Sequence, residues 1–297
     1  MAHKTPTRID RFMFAHQPWS IGAVVIPATA AIKIGRAVKS RVRPETTTVW
    51  CSPAEHDAVV QRVAEQVRRW AALPAEGRPQ LRTNRSATSS FSLRHADKSG
   101  AQTVDVGGLR HVIELDEKAQ TVRIEPQATV GEVTDALAKH GWMLEATLEM
   151  EGASLGGLAL SQGLTTHSHQ CGFVHDTVTE WEFVTGQGEV LVANAEQNSD
   201  VFVTAGMSQG SLGVLTALTL RVVPTTKEVL ITYETVDDLD QLANVMMKRM
   251  ADPDIDFAEA IAFSAEHSVV ITGVGLSDEE AARRAAEGTP RNNQGDW

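Results

Sequence analysis

The stretch that decides the fold runs from Glu151 to Glu180 and reads "EGASLGGLALSQGLTTHSHQCGFVHDTVTE". A glycine pair at Gly156 and Gly157 is followed by Gly163, and then by three histidines and a cysteine within nine positions. Such a run is compatible with a metal site, with a backbone loop that holds a nucleotide, or with a simple turn. The rest of the chain is needed to choose among these three interpretations.

The composition excludes one class of partner. The 297 residues carry a formal net charge of −11, and the pI is about 5.4. Binding to nucleic acid requires a basic surface, so a nucleic-acid partner is excluded. The two cysteines, Cys51 and Cys171, make no disulfide framework and indicate a reducing compartment. A chain of this length can bury a sizeable core in one large or two moderate domains.

The N-terminal segment, residues 1–45, contains the uncharged apolar run "WSIGAVVIPATAAI" (19–32), which includes Pro27. Three interpretations remain open: a short tilted helix across a membrane at about 17–38, an interfacial or re-entrant segment, or a buried helix. Trp19 at one edge and the absence of acidic residues from Arg11 to Arg43 favour membrane association. The dense basic residues that follow the run predict that the globular part faces the cytosol.

Local patterns downstream predict both helices and hairpins. Capping boxes at Ser52 and Thr129 each begin a helix. Alternating β-rich runs around polar turns predict hairpins at 111–126 and 178–193, and "GVLTALTLRVVP" (213–224) predicts another strand. This mixture is α+β, because the regular strand–helix alternation of a doubly wound sheet is missing.

After Pro224 a new unit is expected. Its strands are predicted at 228–236 and 267–275, with a helix over Leu239 to Met250 between them. These elements are too few to close a core of their own.

The sequence gives only weak indications of a metal site at 167–175 and of a serine nucleophile at Ser208. His167, His169 and Cys171 alternate, so a strand would place them on one face, and His175 could join them as zinc-type ligands. No second ligand cluster and no suitably spaced acidic partner accompanies them, so no metal site is predicted. "GMSQG" (206–210) satisfies G-x-S-x-G around Ser208, but the β-rich sequence that follows lacks the helix that a nucleophile elbow needs.

The usual dinucleotide and phosphate-loop motifs are also missing. A nucleotide therefore needs another backbone cradle, which "SLGGLALSQG" (154–163) can supply. Gly156 and Gly157 would let the main chain approach a pyrophosphate, and successive N–H groups would form an anion-binding nest.

The order of the segments resembles the FAD-binding domain of the p-cresol methylhydroxylase (PCMH) and vanillyl-alcohol oxidase superfamily. Within that superfamily the chain most resembles the Δ24-sterol reductases. The closer resemblance rests on "VRIEPQATVGEVT" (122–134), "HSHQCG" (167–172), "NSDVF" (198–202) and "HQPW" (16–19). The segment "FAEAIAFSAEHSVVITGVGLSDEEA" (257–281) resembles the start of that family's second domain, so the similarity covers nearly the whole chain.

The resemblance implies a fold class and a domain order. The fold is α+β, with a PCMH-type FAD-binding domain of two α+β subdomains. A short apolar helix precedes this domain, and a partial cap or substrate domain follows it. The implied boundaries are 1–45 for the N-terminal segment, 46–225 for the FAD-binding domain and 226–297 for the partial C-terminal domain.

The resemblance also implies the cofactor-binding residues. The loop from Ser154 to Thr166 would wrap the FAD pyrophosphate and ribityl chain, with His169 and Gly172 near the flavin. Backbone groups of "GSLGV" (210–214) and the segment at Thr129 and Val130 would border the cofactor. The implied set is Thr129, Ser154, Leu155, Gly156, Gly157, Leu158, Ser161, Gly163, Thr165, Thr166, His169, Gly172, Gly213 and Val214. Among these, the hydroxyls of Ser154, Ser161, Thr165 and Thr166 would donate hydrogen bonds to the cofactor.

Two departures from the family pattern matter. Superfamily members often attach flavin covalently through a histidine in a glycine-rich first loop, but the matching loop here, "RTNRSATSS" (82–90), has neither residue. FAD is therefore predicted to bind non-covalently, with Arg82 or Arg85 pairing a phosphate. The chain also stops soon after the second domain begins, which puts the reductase activity in question.

The implied reaction is the NADPH-dependent reduction of a sterol side-chain double bond. The implied location is the membrane of the endoplasmic reticulum, with the FAD domain facing the cytosol. The resemblance assigns no proton donor in this chain, so the catalytic residues stay open. Two alternatives remain: an FAD-linked oxidase of a small alcohol or hydroxy acid, and a catalytically silent flavin-binding fragment.

Overall fold

The structure is a computed structural model that describes residues 49–84 and 100–289. The proposed membrane segment at 17–38, Arg85 and most of the loop at 82–90 lie outside the described residues. Among the helices that the structure describes, none combines the length and the apolar character needed to cross a membrane.

The described elements alternate irregularly along the chain. The helices are α1 (Pro53–Ala71), α2 (Val130–Ala138), α3 (Leu155–Ala159), α4 (Ser168–Cys171), α5 (Ser199–Ala205), α6 (Leu239–Met250) and α7 (Asp278–Ala286), with a 3-10 turn at Val174–Thr177. The strands are β1 (Leu81–Thr83), β2 (Gln102–Val104), β3 (Val112–Asp116), β4 (Thr121–Ile124), β5 (Trp142–Leu144), β6 (Val178–Val184), β7 (Val190–Asn194), β8 (Val214–Pro224), β9 (Glu228–Val236), β10 (Phe257–Ala262) and β11 (Ser268–Leu276).

Both predicted capping boxes are confirmed. The hydroxyl of Ser52 accepts the N–H of Glu55, and the Glu55 carboxylate accepts the N–H of Ser52, at the start of α1. Thr129 and Glu132 form the same reciprocal pair at the start of α2. Each box satisfies backbone donors that a helix N-terminus otherwise leaves unpaired.

The main sheet has six antiparallel strands in the order β3-β4-β8-β6-β7, with β5 added on β8. The predicted hairpins are confirmed as β3–β4 and β6–β7. The long strand β8 lies between them and buries Leu218 beside Trp181 and Phe183 in the principal core. A smaller core forms where α1 packs Val63 and Val67 over the strand pair β1–β2, which is parallel.

The chain after Pro224 forms a separate antiparallel sheet in the order β10-β11-β9. The predicted strands β9 and β11 and the helix α6 are confirmed, whereas β10 and α7 were not predicted. Large apolar side chains remain exposed on this unit: Tyr233, Leu239, Met247 and Phe263 are each more than half exposed. This exposure agrees with the expectation that these elements do not close a core of their own.

Candidate functional site

The loop at 154–166 is anchored on the segment between β4 and α2. The N–H of Leu155 donates to the Ala128 carbonyl (3.0 Å), and the N–H of Gly156 donates to the Pro126 carbonyl (3.0 Å). Thr129 and Ser154 form an antiparallel bridge. The structure therefore brings Thr129 next to the start of the loop, as the set of implied site residues requires.

Two of the loop glycines are needed for packing against the protein. A Cβ at Gly156 would lie 2.4 Å from Cβ of Pro126, and a Cβ at Gly163 would lie 2.7 Å from Cγ2 of Val174. Real Cβ atoms do not come so close, so any side chain at these two positions would displace the loop. These two glycines thus allow the loop to pack closely against Pro126 and Val174. This packing determines the path of the loop.

Some polar groups of the loop are hydrogen-bonded to the protein, and others have no partner among the described residues. The Ser161 hydroxyl donates to the Gly157 carbonyl (2.7 Å), and the Thr165 hydroxyl accepts the N–H of His167 (3.2 Å). Ser161 therefore donates its hydroxyl proton within the loop, whereas Thr165 is an acceptor in this bond and has its hydroxyl 3.5 Å from that of Ser168. Within the described residues, the hydroxyls of Ser154 and Thr166 have no hydrogen-bond partner.

The backbone N–H of Gly157 is a third donor of the loop without a partner in the described part of the chain. Its N–H has no partner among the described residues, although the two preceding N–H groups are bonded to the chain. This N–H and the two open hydroxyls are donors of the kind that phosphate oxygens accept. The donor types present at 154–166 are those that a pyrophosphate-bearing ligand needs, and their assignment to the cofactor stays a prediction.

A second backbone turn, at 206–213, lies against this loop. The N–H of Gln209 donates to the Leu160 carbonyl (2.9 Å). Met207 (φ 61°), Gln209 (φ 53°) and Gly210 (φ 80°) all adopt the left-handed conformation. Non-glycine residues in this region are uncommon and concentrate at functional sites. The turn ends at Gly213, where a Cβ would lie 2.6 Å from the Val184 carbonyl oxygen.

The position of Ser208 rules out a nucleophile elbow. Helix α5 precedes Ser208 and strand β8 follows it, which is the reverse of the strand–serine–helix order that the motif requires. Val214, the first residue of β8, pairs with Val184 at the end of β6. The serine is a turn residue between these elements.

Of the histidines in the 167–175 stretch, His169 contacts protein carbonyls through both ring nitrogens, whereas Nδ1 of His167 and Nδ1 of His175 are buried without a hydrogen-bond partner among the described residues. His169 places Nδ1 3.2 Å from the Thr166 carbonyl oxygen and Nε2 2.9 Å from the Ile255 carbonyl oxygen. The buried His167 ring packs edge-on against Phe257 at 4.2 Å. Burial lowers the pKa of His167 to about 4, so its imidazole is neutral.

These contacts tie the loop to the second sheet. The N–H of Ala258, on β10, donates to the Thr166 carbonyl (2.9 Å), and the Gln170 side-chain amide donates to the Ile255 carbonyl (2.8 Å). Gly172 follows with φ 78°, and a Cβ there would lie 2.5 Å from Oδ2 of Asp176. Within the described residues, the histidines and the cysteine of this stretch do not gather into a three-ligand group.

A buried charged cluster near the first helix was not predicted from the sequence. His56 is fully buried, with Nδ1 2.8 Å from Oε1 of Glu125 and Nε2 3.1 Å from Oε1 of Glu182. The guanidinium of Arg123 donates to Oε2 of Glu182 (2.6 Å), and the ring of His111 lies 2.8 Å from Oε2 of Glu125. The sequence signal for this cluster was Glu182, a charged residue in the apolar strand run "VTEWEFV".

The charged groups of this cluster stabilise one another's ionised forms. Burial by itself lowers the pKa of His56, but the hydrogen bonds with Glu125 and Glu182 outweigh it and raise the pKa to about 9. Burial by itself raises the pKa of each glutamate, and the hydrogen bonds, with His56 foremost among them, bring both pKa values below the ordinary range. His56 is therefore an imidazolium held between two carboxylates at neutral pH.

Arg82, predicted to pair a phosphate, lies on β1 and is exposed. Its Nε donates to the hydroxyl of Thr103 across the β1–β2 pair (3.0 Å). The loop that follows β1 lies outside the described residues, so the role of Arg82 stays a prediction.

Comparison with known proteins agrees with the resemblance described above. The family model of an FAD binding domain matches residues 54–194. A Delta(24)-sterol reductase of Macaca fascicularis is 28% identical over 90% of this chain and 51% of its own length. One of Arabidopsis thaliana is 29% identical over 82% of this chain and 44% of its own length. The chain thus spans about half the length of the curated relatives it matches.

Among solved structures, 6-hydroxy-D-nicotine oxidase from Arthrobacter nicotinovorans superposes with a TM-score of 0.53 at 16% identity. The match covers 77% of this chain and 51% of that one. At this identity the likeness concerns the fold alone. This likeness agrees with the predicted α+β fold, and the family model matches an FAD binding domain within it. The resemblance to Δ24-sterol reductases is likewise confirmed.

Proposed function

We propose that this chain is the FAD-binding portion of a flavin-dependent oxidoreductase of the Δ24-sterol reductase type. Homology to these reductases along most of the chain supports the reaction class. The observation that carries the proposal in the structure is the loop at 154–166. It combines anchored ends, glycines that tolerate no side chain and a set of open donors.

The chain's own residues would hold FAD non-covalently. The N–H of Gly157 and the hydroxyls of Ser154 and Thr166 would donate to the pyrophosphate and ribityl oxygens. The turn at 206–213 would offer further backbone groups beside them, and Gly213 and Val214 end that turn. His169 and Gly172 would lie close to the flavin ring, on the side where the loop meets β10.

The chemistry that a bound FAD supplies is hydride transfer, with NADPH as the proposed donor and a sterol side-chain alkene as the proposed acceptor. The task of the protein here is to position the cofactor and to exclude water. The contacts between Thr166 and Ala258, and between His169 and Ile255, support this task because they pin the loop to the second sheet. The division at 225/226 into an FAD-binding domain and a partial substrate domain is part of this proposal.

Membrane association is proposed from the sequence alone, through the segment at 17–38, on the endoplasmic reticulum with the FAD-binding domain in the cytosol. It suits a substrate that partitions into lipid. The full chain should float with phosphatidylcholine vesicles in a density gradient, and the double variant Val24→Glu, Val25→Glu should not. Equal flotation of both chains would contradict the role of this segment.

The proposed activity is tested by an anaerobic titration of the purified full chain. The protein should be yellow, and acid precipitation should release all of its flavin into the supernatant, because no covalent attachment is expected. NADPH should bleach the flavin absorbance, and a subsequent addition of a Δ24-unsaturated sterol should restore it. A folded protein that remains colourless after incubation with FAD would overturn the proposal.

Two other outcomes separate the rival functions. Bleaching by a small alcohol or hydroxy acid, with peroxide released on admission of air, would identify an oxidase instead. A yellow protein that NADPH never bleaches would identify a silent flavin-binding fragment.

A further inference from the structure

Three ligand-type side chains that are far apart in sequence meet at the open end of the β3–β4 hairpin. Cys51, His111 and Glu125 each offer one ligand atom, and these atoms all lie within 4.8 Å of one another. Cys51 precedes α1, His111 precedes β3, and Glu125 follows β4. A thiolate, an imidazole and a carboxylate are the three ligand types that zinc takes in proteins.

The backbone holds these residues in place without any help from a ligand. The N–H of Glu125 donates to the His111 carbonyl (2.8 Å), so the two residues face each other across the hairpin end. The N–H of Val112 donates to the Val49 carbonyl (2.7 Å), and the N–H of Cys51 donates to the Val112 carbonyl (2.9 Å). The segment that carries Cys51 is thereby fixed alongside β3.

The second layer of contacts suits a metal-bound carboxylate. Oε1 of Glu125 is hydrogen-bonded by the buried His56, which is held in turn by Glu182. Such outer partners fix the orientation of a ligating group and commonly accompany metal sites. Oε2 of Glu125 lies 2.8 Å from Nδ1 of His111. Tetrahedral bonds of about 2.0–2.1 Å would place a nitrogen and an oxygen roughly 3.3 Å apart, so these two atoms need to separate by roughly half an ångström.

The state of the Cys51 thiol and the access of water to His111 are both compatible with a bound metal ion. Burial, together with the nearby carboxylates of Glu125 and Glu55, raises the pKa of Cys51 to about 11, while Arg123 opposes the rise. A bound metal ion would displace the thiol proton and hold the sulfur as a thiolate. The side chain of His111 is 22% exposed, which leaves water a route to one open coordination position.

We propose that Cys51, His111 and Glu125 form a site for a divalent transition-metal ion of the Zn²⁺ type, with three protein ligands and a fourth position for water. The bound ion would cross-link the segment before α1 to the end of the β3–β4 hairpin. Its ligands lie outside the loop at 154–166 and the turn at 206–213, and Glu125 directly precedes Pro126, which anchors Gly156.

The test uses Co²⁺ as a spectroscopic probe on the full chain. The metal-free protein should take up one Co²⁺ with a thiolate-to-cobalt charge-transfer band in the difference spectrum. The d–d bands of a tetrahedral ion should appear at longer wavelength than flavin absorbs, and Zn²⁺ should displace them. Cys51→Ser should abolish the charge-transfer band and weaken Co²⁺ affinity on the order of 100-fold. The matched control Cys171→Ser, at the other cysteine, should leave both unchanged.

A second measurement needs no variant and therefore cannot fail through misfolding. Alkylation of the unmodified chain is followed by peptide mass spectrometry with and without Zn²⁺. Burial raises the pKa of both thiols to about 11, so Cys171 is a fair internal reference. Zn²⁺ should slow the modification of Cys51 by about 10-fold or more and leave Cys171 unaffected. A thiolate band that survives Cys51→Ser, or equal alkylation with and without Zn²⁺, would overturn the proposal.

Discussion

The variant His56→Gln removes the imidazolium that lies between Glu125 and Glu182, and its effect on stability should depend strongly on pH. Glutamine can still donate one hydrogen bond, but it carries no charge and leaves two carboxylates facing each other. Removing one partner of a buried ion pair typically costs about 3–5 kcal/mol. We expect a loss of this size at pH 6, where the imidazolium and both carboxylates are charged in the wild-type chain.

The pH dependence follows from the pKa of His56, which rises from 6.5 to about 9 on folding. A rise of roughly 2.5 corresponds to about 3 kcal/mol of stabilisation. Because the folded-state pKa lies above the unfolded one, this contribution is complete below about pH 6.5 and is lost as the pH rises through 9. The pKa values of Glu125 and Glu182 are lowered, so their contributions are present above about 4.5 and are lost in acid.

The assay is urea unfolding followed by circular dichroism at pH 6 and at pH 9.5. The wild-type chain should lose about 3 kcal/mol of unfolding free energy between the two pH values through this group. His56→Gln should lack that loss, while the control variant His267→Gln, at an exposed histidine in the second sheet's turn, should retain it. An equal pH dependence in the wild type and in His56→Gln would refute the reasoning.

Two further predictions concern the cofactor loop and the helix next to it. Gly156→Ala should lower the free energy of unfolding by about 1–3 kcal/mol and reduce flavin retention during gel filtration, because its Cβ would overlap Pro126. The control Gly152→Ala, where a Cβ meets nothing within 4 Å, should leave both near the wild-type values, and a similar loss there would contradict the packing argument. Thr129→Ala should cost about 1 kcal/mol in thermal unfolding through the lost capping bond at the start of α2, whereas Thr129→Ser should be close to neutral; equal losses would argue against the cap.

Much of the candidate site could be located from the sequence, but not its internal bonding. The glycines and hydroxyl residues of 154–166 stand out as a contiguous run, and the structure anchors that run beside Thr129. Which hydroxyls remain open was not predictable, since Ser161 and Thr165 are bonded by neighbours whose positions depend on the path of the loop. The contact of His169 with Ile255 spans 86 residues and has no local signature.

The sequence by itself determined the elements that a few neighbouring residues specify. The capping boxes at Ser52 and Thr129 and the two hairpins depend on backbone hydrogen bonds within one turn or across one tight connection. Alternation of apolar and polar residues then indicates which face of a strand is buried. These features are local, so they can be read from the chain without its partners.

Only the tertiary structure decided which distant side chains meet. The pairing of β8 between β4 and β6 brings Glu125 and Glu182 to either side of His56, across separations of 69 and 126 residues. The β3–β4 hairpin and the segment alongside β3 gather Cys51, His111 and Glu125 at one hairpin end. Strand order depends on the burial of the whole apolar surface, so a charged residue's partners are set by the packing of the complete sheet rather than by its neighbours in the chain.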